Sequence, residues 1–261
     1  MNAKSILVCI ILSITAWGYA QNVSAPKHRY SYRTICLDST YDAKADPKLA
    51  KYVAKKRAQL EKVMKVVVAQ SDAELESYAP ESPLSNFLTD ILLNESSKYA
   101  KDTTFANLDL SMLNFGGIRT SMPAGDVTVG DLYRITPFDN YLTFILLKGS
   151  ELEKALNRFD GQFIAPYSGA VIIFDKYPKE WTPTAIFVNG LPLDENRLYK
   201  LVTLNFIADG GDHLLEDIQF EKIEYSTITF RDFLIAELKA MTARGEIVKG
   251  EKDDRAFFGE E

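Results

Sequence analysis

The sequence contains few of the side chains that bind metal ions in proteins. Of its 261 residues, two are histidine and two are cysteine. A structural zinc site takes about four such ligands, and a catalytic dinuclear centre usually takes several histidines. We therefore predict that this chain holds no metal ion and carries no cofactor of its own.

Basic residues are also in the minority. Lysine and arginine together number 30 against 36 aspartate and glutamate residues, so the net charge is −6. A protein that binds nucleic acid needs a basic face to neutralise the phosphates. The charge balance therefore argues against a nucleic-acid partner. Hydrophobic residues make up 46% of the chain, which is ordinary for a globular domain with a sizeable core.

The apolar run at the N-terminus is too short to span a bilayer comfortably. Residues 1–20 combine a basic start at Lys4, an apolar stretch from Ile6 to Ile14 and a small-residue end at Ala20. This is the layout of a secretory signal peptide. We predict cleavage after Ala20, export to the periplasm or the medium, and no membrane span. The alternative is a buried first helix.

Cleavage there leaves a single cysteine in the mature chain. Cys9 lies inside the apolar run, so only Cys36 remains. A lone cysteine cannot form an internal disulfide. We expect Cys36 to pack as a small buried hydrophobe, and the alternative is a free thiol.

Helical and strand patterns alternate along the mature chain, without internal repeats. Apolar spacing predicts four helices, at 48–68, from Pro83 onward, at Glu151–Phe159 and at Phe230–Arg244. Ser82 is the predicted N-cap of the second helix, Ser150 and Glu153 form a predicted capping box for the third, and Thr229 precedes the fourth. Strands are predicted at Asp109–Leu113, Tyr141–Leu147, Ala170–Phe174, Ala185–Val188 and Leu198–Leu204, with a tight turn at Asn189-Gly190. The interleaving indicates a single α/β or α+β domain.

Domain organisation follows from the same patterns. Residues 21–47 are polar and irregular, residues 48–245 form the domain, and residues 246–261 form an acidic tail, which we expect to be frayed from Glu251 onward.

Three loops carry residues suited to ligand binding. The first contains Asn114 and Arg119 around a Gly-Gly pair, and an arginine fork suits phosphate or carboxylate. The second presents Phe138. The third presents Phe206 and Asp212 around another Gly-Gly pair. Aromatic faces suit a planar ring, and a carboxylate accepts hydrogen bonds from a diol. Taken singly, each loop is more typical of an ordinary turn or of core packing than of a ligand site.

Five motifs follow one another in an order shared with a known family. They are N-F-G-G-I-R at 114–119, G-D-V-T-V-G-D-L-Y at 125–133, P-F-D-N at 137–140, L-K-G-S-E-L at 147–152 and N-F-I-A-D-G-G-D at 205–212. A further segment, E-S-P-L-S-N-F-L-T-D at 81–90, precedes them. The chain resembles the C-terminal domain of the 5'-nucleotidase and UDP-sugar hydrolase family over about residues 45–245.

The resemblance implies a fold and a set of ligand contacts. The fold would be mixed sheets flanked by helices, and the domain would bind a nucleotide or nucleoside without holding the metal centre. Phe138 and Phe206 would sandwich the base, and Asp212 would accept from the ribose hydroxyls. Arg119 would hold the phosphate end, and Asn114 would contact the reacting phosphate. The resemblance also places Gly169 in the substrate site, as a glycine of close approach.

Two departures from the family pattern bear on activity. Tyr78 stands where the family commonly has a phosphate-binding arginine, and a lost charge-assisted contact costs about 1.5–3 kcal/mol. The sequence also lacks the metallophosphoesterase domain with its histidine-rich motifs. The two histidines of the sequence, His28 and His213, are not spaced as metal ligands, and we expect His213 to line the pocket.

Three functional hypotheses remain open at this point. The first is a split 5'-nucleotidase, in which a separate metallophosphoesterase chain supplies a divalent metal pair and this chain is inactive alone. The second is a non-catalytic periplasmic module that binds a nucleotide or nucleoside. The third is a degenerate relic of the family. For the first, residues 27–68 are the candidate docking surface, and a solvated lysine-rich face is the competing interpretation.

Overall fold

The structure is a computed structural model of the chain. It describes residues 31–36, 38–40, 46–159, 164–175 and 182–258. The predicted signal peptide and His28 lie outside these ranges. The chain divides into two compact units, residues 1–53 and residues 54–261. In the first unit Cys36 is an exposed free thiol, so the expectation that it packs as a buried hydrophobe is wrong.

Helices and strands alternate throughout the described ranges. The helices are α1 (Pro47–Met64), α2 (Pro83–Glu95), α3 (Val129–Ile135), α4 (Gly149–Leu156), α5 (Asn205–Ala208) and α6 (Phe230–Ala243). The strands are β1 (Val67–Ser71), β2 (Leu110–Met112), β3 (Gly125–Thr128), β4 (Tyr141–Lys148), β5 (Tyr167–Ser168), β6 (Ala170–Asp175), β7 (Thr182–Val188), β8 (Leu191–Pro192), β9 (Leu198–Leu204), β10 (Lys222–Thr229) and β11 (Ala256–Phe258). These bounds match most of the predicted elements to within a few residues.

The strands form three sheets, of which the largest is central to the second unit. Its order is β10-β4-β9-β2-β5, with β2 and β9 parallel and the other pairs antiparallel. A four-stranded sheet has the order β11-β6-β7-β8, and β1 pairs with β3 in a two-stranded ribbon. The prediction of a mixed α/β fold is confirmed.

Both faces of the five-stranded sheet are buried. On β4, Phe144 points into one apolar cluster and Ile145 points into a second, as the two-residue period of a strand requires. The first cluster includes apolar side chains of α2 and α6, and the second includes those of α4 and β6. The sheet is therefore fixed on both sides, and the loops at its strand ends start from a rigid base.

Local capping signals fix the starts of α2 and α6. The Ser82 hydroxyl accepts from the Ser85 amide at 3.4 Å, and Pro83 takes the first helical position. The Thr229 hydroxyl accepts from the Asp232 amide at 3.1 Å. The predicted N-cap at Ser82 is confirmed, and Thr229, the residue predicted to precede the last helix, caps that helix.

The predicted capping box at the start of α4 is wrong. The side chains of Ser150 and Glu153 do not cap this helix, which begins at Gly149, two residues before the predicted start at Glu151. The amides of Gly149 and Ser150 instead donate to the carbonyls of Arg197 and Glu195 at 2.8 and 3.0 Å. A β-carbon at Gly149 would lie 1.9 Å from the Asp194 carbonyl oxygen. Carbonyls distant in sequence thus accept from the first amides of the helix, in place of the predicted capping side chains.

The helix predicted at 48–68 is shorter than expected. It ends at Met64, and Val67 begins β1, which pairs with β3 and buries Val68 and Ala69. Consecutive valines favour the strand because β-branched side chains fit a pleated surface. No residue of α1 is fully buried; Met64 at its end packs against the core, whereas Leu60 and Val63 are exposed.

The described part of the acidic tail is attached to the domain, contrary to our expectation that it frays. Val248 is buried in the core, and β11 adds a parallel strand to the edge of β6. Two buried side chains explain the attachment, because Glu81 accepts from the Asp253 amide and Arg255 pairs with Asp90. Within the ranges the structure describes, no helix is both long and apolar enough to cross a membrane.

Candidate nucleotide-binding site

Three loops meet at a cavity of about 290 Å³ in the second unit. The volume is near the lower end of the range found for ligand pockets. Its lining contains five of the six predicted site residues together with Gly116, Gly117 and Asn140. The full lining is Asn114, Gly116, Gly117, Arg119, Phe138, Asn140, Phe206 and Asp212. Each loop leaves an element that packs in the core.

The first loop leaves β2 and turns through a short 3-10 helix at Phe115–Gly117. Asn114 is buried at the start of this turn. A β-carbon on Gly117 would lie 2.7 Å from the Asn114 side-chain oxygen. Glycine at this position therefore lets the amide of Asn114 lie against the turn and reach the cavity.

Arg119 closes the first loop at an exposed position. Its amide donates to the Ile135 carbonyl at 2.8 Å, and its Nη1 donates to the Gly116 carbonyl at 3.1 Å. These bonds fix the base of the side chain. A guanidinium carries five donors, and one suffices for the Gly116 contact. Most of the fork is thus available to an anion in the cavity.

The second loop connects α3 to β4 and presents Phe138. The ring is 48% exposed although it lines the cavity. A large exposed apolar side chain in a concave site is suited to a planar ligand. Asn140 follows two residues later and lines the same cavity. We did not single out Asn140 in the sequence, although it is the last residue of the P-F-D-N motif.

The third loop follows β9 and presents Phe206 and Asp212. Phe206 is on α5 and is 41% exposed. A β-carbon on Gly211 would lie within 2.6 Å of two atoms of the Phe206 ring, so this glycine lets the ring lie against the loop. Asp212 and His213 both adopt left-handed backbone angles, with φ of 53° and 56°. Such conformations are uncommon outside glycine and are concentrated at functional sites.

A hydrogen bond joins the first and third loops across the cavity. Asn114 Nδ2 donates to Asp212 Oδ2 at 2.6 Å. The Asn114 side-chain oxygen is buried and has no hydrogen-bond partner among the described residues. A buried acceptor without a donor costs free energy, so a donor on a ligand or a water molecule would stabilise this arrangement. The site thus combines two aromatic faces, a carboxylate, an unused amide oxygen and a guanidinium.

Burial and pairing shift pKa values around the cavity. The pKa of Tyr225 is raised to about 12, first because its hydroxyl donates to Asp209 Oδ1 at 2.7 Å and second because of burial. Burial is the largest single influence and lowers the pKa of Arg231, but the interactions with Asp139 and Tyr133 together outweigh it and raise the pKa overall. Both groups keep one protonation state at neutral pH, and both hold loop residues in place.

Gly169 is not brought to this cavity. It lines a second cavity of about 330 Å³, beside Asp90, Ser168 and Arg255. Its φ is +85°, and a β-carbon there would lie 2.1 Å from the Asp109 carbonyl oxygen. The close approach is therefore to the chain's own backbone.

His213 and Tyr78 also lie away from the cavity lining. The His213 side chain is exposed, and its Nδ1 lies 2.6 Å from Glu216 Oε2, so the expectation that it lines the pocket is wrong. Tyr78 is exposed as well. Across the residues that the structure describes, no three His, Cys, Asp or Glu side chains form a group able to hold a metal ion.

Comparison with known sequences places the chain in one family. Residues 62–217 match the model of the 5'-nucleotidase C-terminal domain. Protein UshA of Yersinia enterocolitica is 36% identical over 112 residues, which cover 41% of this chain and 20% of that protein. The NAD 5'-nucleotidase of Haemophilus influenzae is 25% identical over 227 residues, which cover 74% of this chain and 36% of that protein.

Solved structures agree with this result. A 5'-nucleotidase precursor from Thermus thermophilus superposes with a TM-score of 0.67 at 28% identity, over 80% of this chain and 43% of that one. The NAD nucleotidase of Haemophilus influenzae superposes with a TM-score of 0.56 at 20% identity, over 75% and 39% of the two chains, and shows the shared fold. The matched region thus spans less than half of these relatives. The chain belongs to the 5'-nucleotidase C-terminal domain family.

Proposed function

We propose that this chain is the nucleotide-binding half of a split, exported 5'-nucleotidase. The observation that carries the proposal is the shared cavity. Two exposed phenylalanines from separate loops, Phe138 and Phe206, line it together with Asp212 and Arg119. The base would stack between the rings, Asp212 would accept from the ribose diol, and Arg119 would bind the phosphate.

The catalytic part of the proposal assigns the metals to another chain. In this chain Asn114 would contact the phosphate and hold Asp212 in place through their hydrogen bond. A separate metallophosphoesterase would supply two divalent ions, which activate a water for attack on phosphorus. The binding energy collected here would orient the phosphate for that attack. Within the second unit Leu60 and Val63 of α1 are exposed, which supports a docking role for this helix.

Export is part of the same proposal. The layout of residues 1–20 supports a signal peptide cleaved after Ala20 and a periplasmic or secreted protein. N-terminal sequencing of the chain purified from the periplasm or the medium would test this. A first residue of Gln21 is expected, and an intact N-terminus would contradict the assignment.

The split model is tested by reconstitution. The purified chain is incubated with AMP and Mn²⁺, alone and then with the metallophosphoesterase that co-purifies with it from the native source. We expect phosphate release only from the mixture. Phosphate release by the chain alone, which also disappears in a Phe206→Ala variant prepared identically, would overturn the split model.

A non-catalytic binding module is the second candidate. It is favoured by the fact that one chain supplies both aromatic rings, the carboxylate and the guanidinium, so that binding needs no partner. This alternative predicts that adenosine and AMP bind the purified chain and that no co-purifying chain adds hydrolysis. Calorimetric titration combined with the reconstitution assay distinguishes the two candidates.

Asp212→Asn is expected to lower the affinity for adenosine about tenfold, because a charge-assisted hydrogen bond is stronger than a neutral one. The measurement is a titration with adenosine and with 2',3'-dideoxyadenosine. Wild-type protein should prefer adenosine, and the variant should lose most of that preference. Asp209→Asn is the control, since Asp209 lies in the same loop but bonds to Tyr225. An unchanged preference in Asp212→Asn would contradict the ribose assignment.

A further inference from the structure

A buried arginine outside the cavity lining binds the loop that presents Phe138. Arg231 is the second residue of α6, and its side chain is 8% exposed. Its Nη1 lies 3.3 Å from the Thr136 carbonyl oxygen and 3.4 Å from the Phe138 carbonyl oxygen. Its Nη2 donates to the Asp139 carboxylate. One guanidinium thus contacts three residues of a five-residue loop.

Both ends of this loop are tied to the start of α6. Besides the Arg231 contacts, the Phe230 amide donates to the Asn140 carbonyl at 2.8 Å. The guanidinium carbon also lies 4.1 Å from the centroid of the Tyr133 ring, on α3 just before the loop. Phe230 and Phe233 anchor α6 in the core. The backbone of this loop is therefore held by a helix that packs in the core.

The Phe138 ring needs such support because it is half exposed. Core packing cannot hold a ring that solvent reaches on one side, so its direction depends on where its backbone is fixed. A binding group that is held in place before the ligand arrives loses less conformational freedom on binding. The contact from Arg231 to the Phe138 carbonyl supplies this restraint at the residue itself.

The arrangement is not what stability alone would favour. The Arg231 Nε is buried without a hydrogen-bond partner among the described residues, and an unsatisfied buried donor is costly. Its acidic partner Asp139 is 72% exposed, and ion pairs with an exposed partner contribute little. Instead, Nη1 contacts two loop carbonyls while Nη2 contacts the Asp139 carboxylate, and the planar fork of an arginine lets one side chain make both kinds of contact.

We infer that Arg231 is a positioning residue for nucleoside binding, which fixes the Phe138 backbone so that the ring faces the base. This inference rests on the proposed function, in which Phe138 stacks on the base. It assigns to α6, which contributes no residue to the cavity of about 290 Å³, a part in base recognition.

The test is a double-mutant cycle between Arg231→Met and Phe138→Ala, read by calorimetric titration with adenosine and with ribose 5-phosphate. Arg231→Met is expected to weaken adenosine binding about five- to tenfold and to leave ribose 5-phosphate binding within twofold. In the Phe138→Ala background it should weaken adenosine binding no further, because both changes act through one ring. Arg134→Met, which removes an exposed arginine paired with the buried Asp131, is the matched control and should change neither affinity.

A second variant and a second readout keep the test decisive. Asp139→Asn weakens the ion pair with Arg231 at an exposed position, so this variant is expected to fold. It should weaken adenosine binding two- to threefold and leave ribose 5-phosphate binding within twofold. In a Phe138→Trp, Trp181→Phe background, where position 138 carries the one tryptophan after residue 20, time-resolved fluorescence anisotropy should show faster motion when Arg231→Met is added, with no ligand present.

The outcomes separate the inference from the proposed function. In one contrary outcome, Arg231→Met lowers the affinities for adenosine and ribose 5-phosphate equally; in another, it lowers adenosine affinity in the Phe138→Ala background as much as in wild-type protein. Either result would show that Arg231 acts only on the fold and would overturn the inference. Unchanged anisotropy would overturn it as well. Absence of adenosine binding by wild-type protein would remove the proposed function. The anisotropy result would then still decide whether Arg231 restrains the loop.

Discussion

Replacing Phe206 with alanine is expected to lower the affinity for adenosine by roughly 10- to 100-fold, since stacking of a base on an aromatic side chain contributes about 1–3 kcal/mol. The ring lines the cavity and is half exposed without ligand, so its removal costs little packing. The loss should therefore appear in binding rather than in the free energy of unfolding. Calorimetric titration and urea denaturation of the same samples measure both.

Two controls show whether the loss reflects stacking. Ribose 5-phosphate lacks the base, so its affinity should change less than twofold in Phe206→Ala. Phe257→Ala removes a phenylalanine of matching exposure, 43% against 41%, on β11 rather than beside the cavity, and should bind adenosine normally. If Phe206→Ala binds adenosine as tightly as wild-type protein does, the base is not held between the two loops.

Five residues of the cavity were predictable because each belongs to a short motif of the family that the sequence resembles, although no motif alone distinguishes a ligand site from an ordinary turn. Asn114 and Arg119 flank one Gly-Gly pair, and Phe206 and Asp212 flank another. Glycine pairs of this kind mark a close approach at any site, and the structure shows the approach in both. The order of the motifs then indicated that the loops lie together, but it did not give the contacts or distances between them.

The contacts between loops were not predictable from local patterns. Asn114 bonds to Asp212 across 98 residues of sequence, and Arg231 reaches Asp139 across 92. Each residue is unremarkable beside its own neighbours. The same limit explains the wrong capping box of α4, where the acceptors come from the carbonyls of Glu195 and Arg197. Local sequence specifies which groups need a partner, and tertiary structure decides which group supplies it.

The tail shows the same limit on a larger scale. Its composition is typical of a frayed terminus, yet one basic residue, Arg255, attaches it to the domain. The Arg255 guanidinium bonds to Asp90 at 2.8 and 3.1 Å and to Asp253 at 2.7 and 2.8 Å. It also bonds to the Tyr167 carbonyl at 3.0 Å. Burial opposes the charge, but these partners together raise the pKa of Arg255 and keep it ionised.

Arg255→Met is expected to lower the free energy of unfolding by about 3 kcal/mol, the lower end of the range for breaking a buried ion pair. The lower end applies because Asp90 and Asp253 are partly exposed and regain water. The loss should detach β11 and leave the buried Glu81 carboxylate without the Asp253 amide as donor. Urea denaturation measures the change in unfolding free energy, and hydrogen exchange at β6 reports the exposed strand edge.

The control for this prediction is an ion pair of similar geometry on the surface. Arg244 bonds to both oxygens of Glu246 at 2.6 and 2.8 Å, but both side chains are half exposed. Such pairs contribute about 1 kcal/mol or less, so Arg244→Met should be close to wild type. Equal stability losses for the two variants would mean that burial does not distinguish the pairs. A stable Arg255→Met variant with β6 still protected would show that β11 is held by its strand pairing alone.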